Sequence, residues 1–229
     1  VRLAGLLPPS EGDWAASARS ALAALVRDQP LRIETTEPEP DRHGRLVAQV
    51  YRAGDGRWLQ GALVEAGLAR VAPAPDAESL RLLPLEDAAR RAGRGLWAER
   101  RFRVLTPEET GEHLGEVAIV EGVVRGVARA GGWLYLNFGE DWRRDFTASV
   151  RARALPLFAK AGLPLTDSAG RRVRVRGFLD RRNGPSLELY APSQIEVLAE
   201  TPDVPARAEA PRLTPPAAGA SPGGAPAGR

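Results

Sequence analysis

Apolar positions in the first hundred residues follow two periods. Residues 1–6, 31–34, 46–51 and 68–71 are short runs rich in strand formers, each bounded by turn residues. Trp14, Ala18, Ala21, Leu22, Leu25 and Val26 recur at helical spacing. They predict an amphipathic helix over 14–26, capped by Ser10 or Asp13. Leu59, Ala62, Leu63 and Ala66 predict a second helix, closed by Gly67 at the position that favours glycine. A third stripe covers 78–92 with Pro84 inside it, so a start or kink is expected there. Gly93 and Gly95 end that helix, and Trp97 is expected to pack back on the core.

After residue 115 the pattern changes to strands. Residues 102–115 read as a link, with Thr106-Pro107-Glu108-Glu109 starting one helical turn. Residues 116–127 read as a long strand that Gly122 and Gly126 can bend. Gly131-Gly132 signals a hairpin into a strand at 133–138, and another strand follows at 146–150. Residues 151–161 read as a helix closed by Gly162. Strands at 171–179, 186–190 and 194–198 finish the unit, with Asn183-Gly184 as the hairpin turn. Strands before and after a single helix follow the order of an OB-type barrel. From residue 199 the chain is mostly Pro, Ala and Gly and is expected to be disordered.

Composition narrows the function classes. The chain of 229 residues is long enough for two small domains. No apolar run reaches the roughly 18 residues of a membrane span. Cysteine is absent, which removes disulfides and thiolate metal sites, and the two histidines, His43 and His113, are too few for a histidine-rich one. Methionine is absent even at position 1, so a fragment, a cleaved leader and a non-ATG start all stay open. The formal net charge is +3, and the basic surplus falls in residues 112–198, carried almost wholly by arginine. That surplus is a weak pointer to a polyanionic partner.

Residues 41–71 are the most informative stretch. Asp41-x-x-Gly44-Arg45 is a tight turn. It is followed by Ala62-Leu63-Val64-x-x-Gly67-Leu68-Ala69-x-Val71 and later by Gly95-Leu96-Trp97. With the opening Val1-Arg2-Leu3-Ala4-Gly5, these segments resemble the staphylococcal-nuclease-like (thermonuclease) family over about residues 1–100. The resemblance implies an α+β, mainly β fold: a five-stranded OB-type barrel carrying helices, here starting at the third strand. The first hairpin would then be missing, which leaves edges unpaired and implies residues upstream of Val1 or some other cover. The expected organisation is a thermonuclease-like domain at 1–101, a linker at 102–115, a second OB-like β domain at 116–198 and a tail at 199–229.

The family is one of calcium-dependent nucleases. It uses two arginines on the phosphate, a glutamate base and carboxylates on the metal. Arg2 and Arg45 fall at the arginine positions and are expected to clamp phosphate through their paired donors. The carboxylates depart from the pattern. Leu7 stands at a calcium aspartate position and Ser10 at the base position. Serine accepts no proton at neutral pH without a base of its own, and leucine binds no calcium. Glu11 or Asp13 could substitute if the loop shifts, and Glu11 is the candidate base. The tyrosines that the family often carries after its Ala-Arg-Val strand are Pro73 and Pro75 here. No metal ligand is assigned, and Ca2+ is the expected cofactor only of an active enzyme.

In the second unit, Arg172, Arg174 and Arg176 alternate on one strand face near Trp133 and Tyr135. An aromatic platform beside a basic row is how OB folds hold single strands. The resulting expectation is a thermonuclease-like protein that binds DNA or RNA with an impaired catalytic centre. The alternatives are an active calcium-dependent nuclease and a protein-interaction module. The sequence names no compartment, and the resemblance leaves export to the periplasm open.

Overall fold

The computed structural model describes residues 1–73 and 77–198. Segment 199–229, expected to be disordered, and Pro75 lie outside the described residues. The elements are mixed α and β.

The opening run is two strands, not one. Strand β1 (Arg2–Leu3) and strand β2 (Leu6–Leu7) are separated by a corner at Gly5, whose φ is +69°. A Cβ on Gly5 would lie 2.3 Å from Ser79 Oγ, so the corner needs glycine twice over. Helix α1 (Gly12–Val26) starts two residues earlier than its apolar stripe, with Glu11 as an extended N-cap. Strand β3 (Leu31–Thr35) and strand β4 (Val47–Arg52) follow, then helix α2 (Leu59–Glu65) and strand β5 (Arg70–Val71). The third helical stripe is broken into α3 (Ala77–Leu80) and α4 (Leu82–Arg91). The break comes at Arg81, which puts Pro84 in the first turn of α4, where no amide has an intrahelical acceptor to lose.

Strand β1 pairs parallel to β4, β3 pairs antiparallel to β4, and β2 pairs antiparallel to β5. Among the described residues β1 and β3 are edges of their sheet, and Leu31 and Ile33 on β3 are exposed. Leu6, Leu63, Val64, Val71 and Leu82 form the main core of this unit, and Ala48, Val50 and Leu59 a smaller one. Gly67 and Gly95 lock together: both have positive φ, and the Leu96 N–H donates to the Gly67 carbonyl at 2.9 Å.

The second unit contains β6 (Val117–Val123), β7 (Gly126–Ala130), β8 (Trp133–Asn137), β9 (Thr147–Arg151), α5 (Leu155–Lys160), β10 (Arg172–Phe178), β11 (Asp180–Arg181), β12 (Pro185–Leu189) and β13 (Ile195–Val197). The strands order as β13-β10-β6 and as β11-β12-β9-β8-β7. The β9–β12 pair is parallel and the others are antiparallel. Phe146, Phe158, Leu134 and Leu136 lie at the centre of one core. Leu105 belongs to that core too, and its N–H donates to the Ile119 carbonyl at 2.8 Å. Within residues 102–115, read as a link with one helical turn, a 3-10 helix covers Pro107–His113, and Leu105 and Thr110 are buried.

Candidate functional site

The turn at residues 41–45 is built on one carboxylate. Asp41 Oδ1 accepts the backbone N–H of His43 at 2.9 Å and of Arg45 at 3.0 Å. Asp41 Oδ2 accepts Arg45 Nε at 2.9 Å and Nη2 at 2.8 Å. Gly44 takes φ +72° to let the chain reverse. The side-chain bond from Arg45 is the main reason that the Asp41 carboxyl is held well below the usual carboxylate range. Asp41 is thus spent on the turn, and about half of the Arg45 side chain (48 %) stays exposed.

Arg45 and Arg2 line the same open groove, of about 860 Å3. Arg2 comes from the exposed start of β1, which the Leu46 carbonyl anchors by accepting the Arg2 N–H at 2.8 Å. Strands β1 and β4 therefore carry both arginines to one opening, because Arg45 stands just before β4. Leu7, Pro8 and Pro9 form part of the wall, and Arg19, Arg42 and His43 add three more nitrogen-bearing side chains. His43 Nε2 lies 3.1 Å from Arg42 Nε, on the surface.

Calcium takes about 6–8 oxygen ligands, several of them carboxylate. The groove offers Asp41, already held by Arg45, and an apolar Leu7. Among the described residues no group of three or more His, Cys, Asp or Glu could hold a metal ion. Ser10 and Glu11 are exposed beside the start of α1, and neither lines the groove. The donor set present does not fit calcium. Glu11 sits at the N-cap, where a carboxylate is favoured by the helix dipole.

The second candidate set is divided. Only Arg172 of the arginine row is exposed; Arg174 and Arg176 are buried (8 % and 3 % exposed). The expected shared face is real, but α4 and neighbouring carboxylates cover it. Arg176 donates from Nη1 to Glu86 and from Nη2 to Glu196. Arg174 reaches Glu121 at 2.8 Å and Asp87 at 3.1 Å. Arg172 reaches the other oxygen of Glu121 at 2.7 Å. Burial opposes the charge of Arg176, and Glu86 and Glu196 more than offset it, so the guanidinium is held above its ordinary range. This geometry corrects the expectation of a free basic row: two of its three members join the N-terminal unit to the second one. The overlooked signal was acidic: Glu121 and Glu196 lie opposite Arg174 on both neighbouring strands.

Trp133 and Tyr135 are half-buried on the outer face of β8, opposite Arg151 and Ser149. The Arg151 guanidinium lies 4.4 Å from the Trp133 ring centroid and that of Arg182 5.8 Å. Trp133 therefore already has cation–π partners. The two most exposed aromatic side chains are others, Phe178 and Tyr190. Neither is among the residues that the sequence pattern singles out. Phe178 shares the strand parity of Arg172, Arg174 and Arg176, so an aromatic on a polar strand face was the available signal.

No curated protein matches this chain. A family model described as staphylococcal nuclease homologue matches residues 3–99, a stretch that contains Arg45 and begins one residue after Arg2. Residues 3–99 of this chain are a staphylococcal-nuclease-like domain and belong to that family.

Proposed function

We propose that the N-terminal domain binds the phosphodiester backbone of nucleic acid in the Arg2–Arg45 groove without cleaving it efficiently. One observation carries this reading: both arginines open into one groove whose available carboxylate is already committed to Arg45. Forked donors on a pre-positioned guanidinium suit a phosphate, and Asp41 fixes the orientation of one fork. The missing chemistry is proton abstraction and metal binding, for which Leu7 and Ser10 supply no carboxylate.

We also infer that the second unit is an OB-type barrel. The parallel β9–β12 pair, the antiparallel β6–β10 pair and α5 between β9 and β10 support this reading. Strands β6 and β10 continue, across single breaks, into β7 and β11 of the other sheet.

The test is binding of labelled single-stranded DNA and RNA at several salt concentrations. Affinity should fall with salt by roughly 0.7 log units per log unit for each phosphate contacted. Salt-independent or absent binding would contradict the reading.

A further inference from the structure

We propose that Phe178 and Tyr190 of the second unit form a base-stacking platform at the end of the Arg2–Arg45 groove, so that a single-stranded nucleic acid is held across both units. The proposal rests on the phosphate-binding reading of that groove and adds a second part to the site.

The two rings are unusual in this molecule. Phe178 is 56 % exposed and Tyr190 58 %, while every other aromatic side chain is buried or half-buried. They line one depression of about 220 Å3 together with Pro73 of the N-terminal unit. The depression therefore straddles the boundary between the units.

The backbone explains why it adjoins Arg2. The Ala72 N–H donates to the Gly5 carbonyl at 2.9 Å, which ties the segment before Pro73 to the β1–β2 corner. That corner rests on Ser79 of α3. Helix α3 in turn packs on the 3-10 turn Pro192–Gln194, which begins two residues after Tyr190. The charge of Arg2 acts on the Tyr190 phenol, whose pKa burial raises overall. Arg2 thus links the two: it lines the groove with Arg45, and its charge reaches the Tyr190 phenol.

The platform is held in place. Buried Gln194 accepts the Tyr190 N–H at 2.7 Å and donates to the carbonyls of Glu188 at 3.0 Å and Arg176 at 3.1 Å. Little ordering is left for a ligand to impose. The same Arg176 holds Glu86 across the boundary, so the platform and the groove keep a fixed relation.

The chemistry of the lining selects the ligand. Apart from Pro73, the apolar surface on offer is the two rings, and Ser149, Ser186 and Arg182 are polar. A greasy peptide or helix would desolvate those groups for little apolar gain. The acidic members are countered: Glu188 bonds Arg151 at 3.1 Å, and Arg182 stands 3.8 Å from both Glu188 and Asp180. Flat rings that share their lining with Arg182 fit unstacked bases on a phosphate backbone. A duplex keeps its bases stacked on one another and cannot use the rings in this way.

The experiment measures anisotropy of the full chain with a labelled dinucleotide and with an oligothymidylate of roughly ten nucleotides, both single-stranded. It compares wild type, Arg45→Ala, the pair Phe178→Ala with Tyr190→Ala, and the ring-preserving pair Phe178→Trp with Tyr190→Trp. The proposal expects the alanine pair to weaken the longer strand about tenfold or more, at unchanged Tm, with the dinucleotide little affected. The tryptophan pair should bind like wild type, and Arg45→Ala should weaken both ligands. An alanine pair that binds both ligands like wild type, while Arg45→Ala weakens them, overturns the platform and leaves the groove standing. Absence of binding by wild type overturns both.

Discussion

Arg45 rests on Asp41 through two donors to a single oxygen, Nε at 2.9 Å and Nη2 at 2.8 Å from Oδ2. The other oxygen of the same carboxylate holds the turn that delivers Arg45 to the groove. One side chain therefore sets both the backbone and the direction of the guanidinium. Asp41→Asn keeps a weaker acceptor and loses the charge. Phosphate-ligand affinity should fall several-fold, less than the loss in Arg45→Ala, which removes a charge-assisted contact of about 1.5–3 kcal/mol. Titration calorimetry with an oligonucleotide distinguishes the two variants.

The same contact fixes a pH dependence. The carboxyl of Asp41 lies below its ordinary 3.8 in the folded chain. A depressed acid contributes stability that is fully present above the unfolded value and is lost as pH falls through the folded one. Turn and groove should therefore be intact through the neutral and mildly acidic range and loosen only below about pH 4. Carbon-detected NMR titration of Asp41 reads this directly. A midpoint at or above 3.8 would show that the Arg45 contact is absent in solution.

Arg176 and Glu86 are the buried pair that joins the units. Removing one partner strands the other charge, so Arg176→Ala or Glu86→Ala should cost about 3–5 kcal/mol. An apolar double replacement will not be neutral here. Glu86 Oε1 also accepts the Val71 N–H at 2.7 Å, and that buried donor would lose its partner at a cost of about 1–3 kcal/mol. Urea unfolding of the two singles and the double closes the cycle.

Gly67 permits no side chain. Its φ is +68°, and a Cβ there would stand 2.1 Å from the Arg94 carbonyl oxygen. Gly67→Ala should destabilise the N-terminal domain by at least about 2 kcal/mol, since left-handed strain adds to a backbone collision. Gly44→Ala, with open space at Cβ, meets only the conformational cost and should lose about 1 kcal/mol. Thermal melts of the two variants test the difference.

Local signals were legible and long-range ones were not. Gly67 announced the end of α2, and the turn at residues 41–45 announced itself through Asp41 and Gly44, because each depends on neighbours in sequence. Alternation placed Arg172, Arg174 and Arg176 on one face but could not say what covers it. That information lies in Glu86 and Asp87, on a helix far away in the chain. The split of residues 1–6 at Gly5 was equally hidden, since its cause is Ser79. Phe178 and Tyr190 went unremarked because strand aromatics usually fill cores, although Phe178 shares the strand parity of the arginine row.

The most direct measurement incubates the full chain and Arg45→Ala with labelled single-stranded DNA, in calcium or in EDTA, and scores binding and strand integrity together. The account predicts an intact strand in both conditions, bound by the wild-type chain and about tenfold more weakly by Arg45→Ala. Calcium-dependent cleavage that Arg45→Ala abolishes would contradict it and would mean that a carboxylate such as Glu11 completes a working centre.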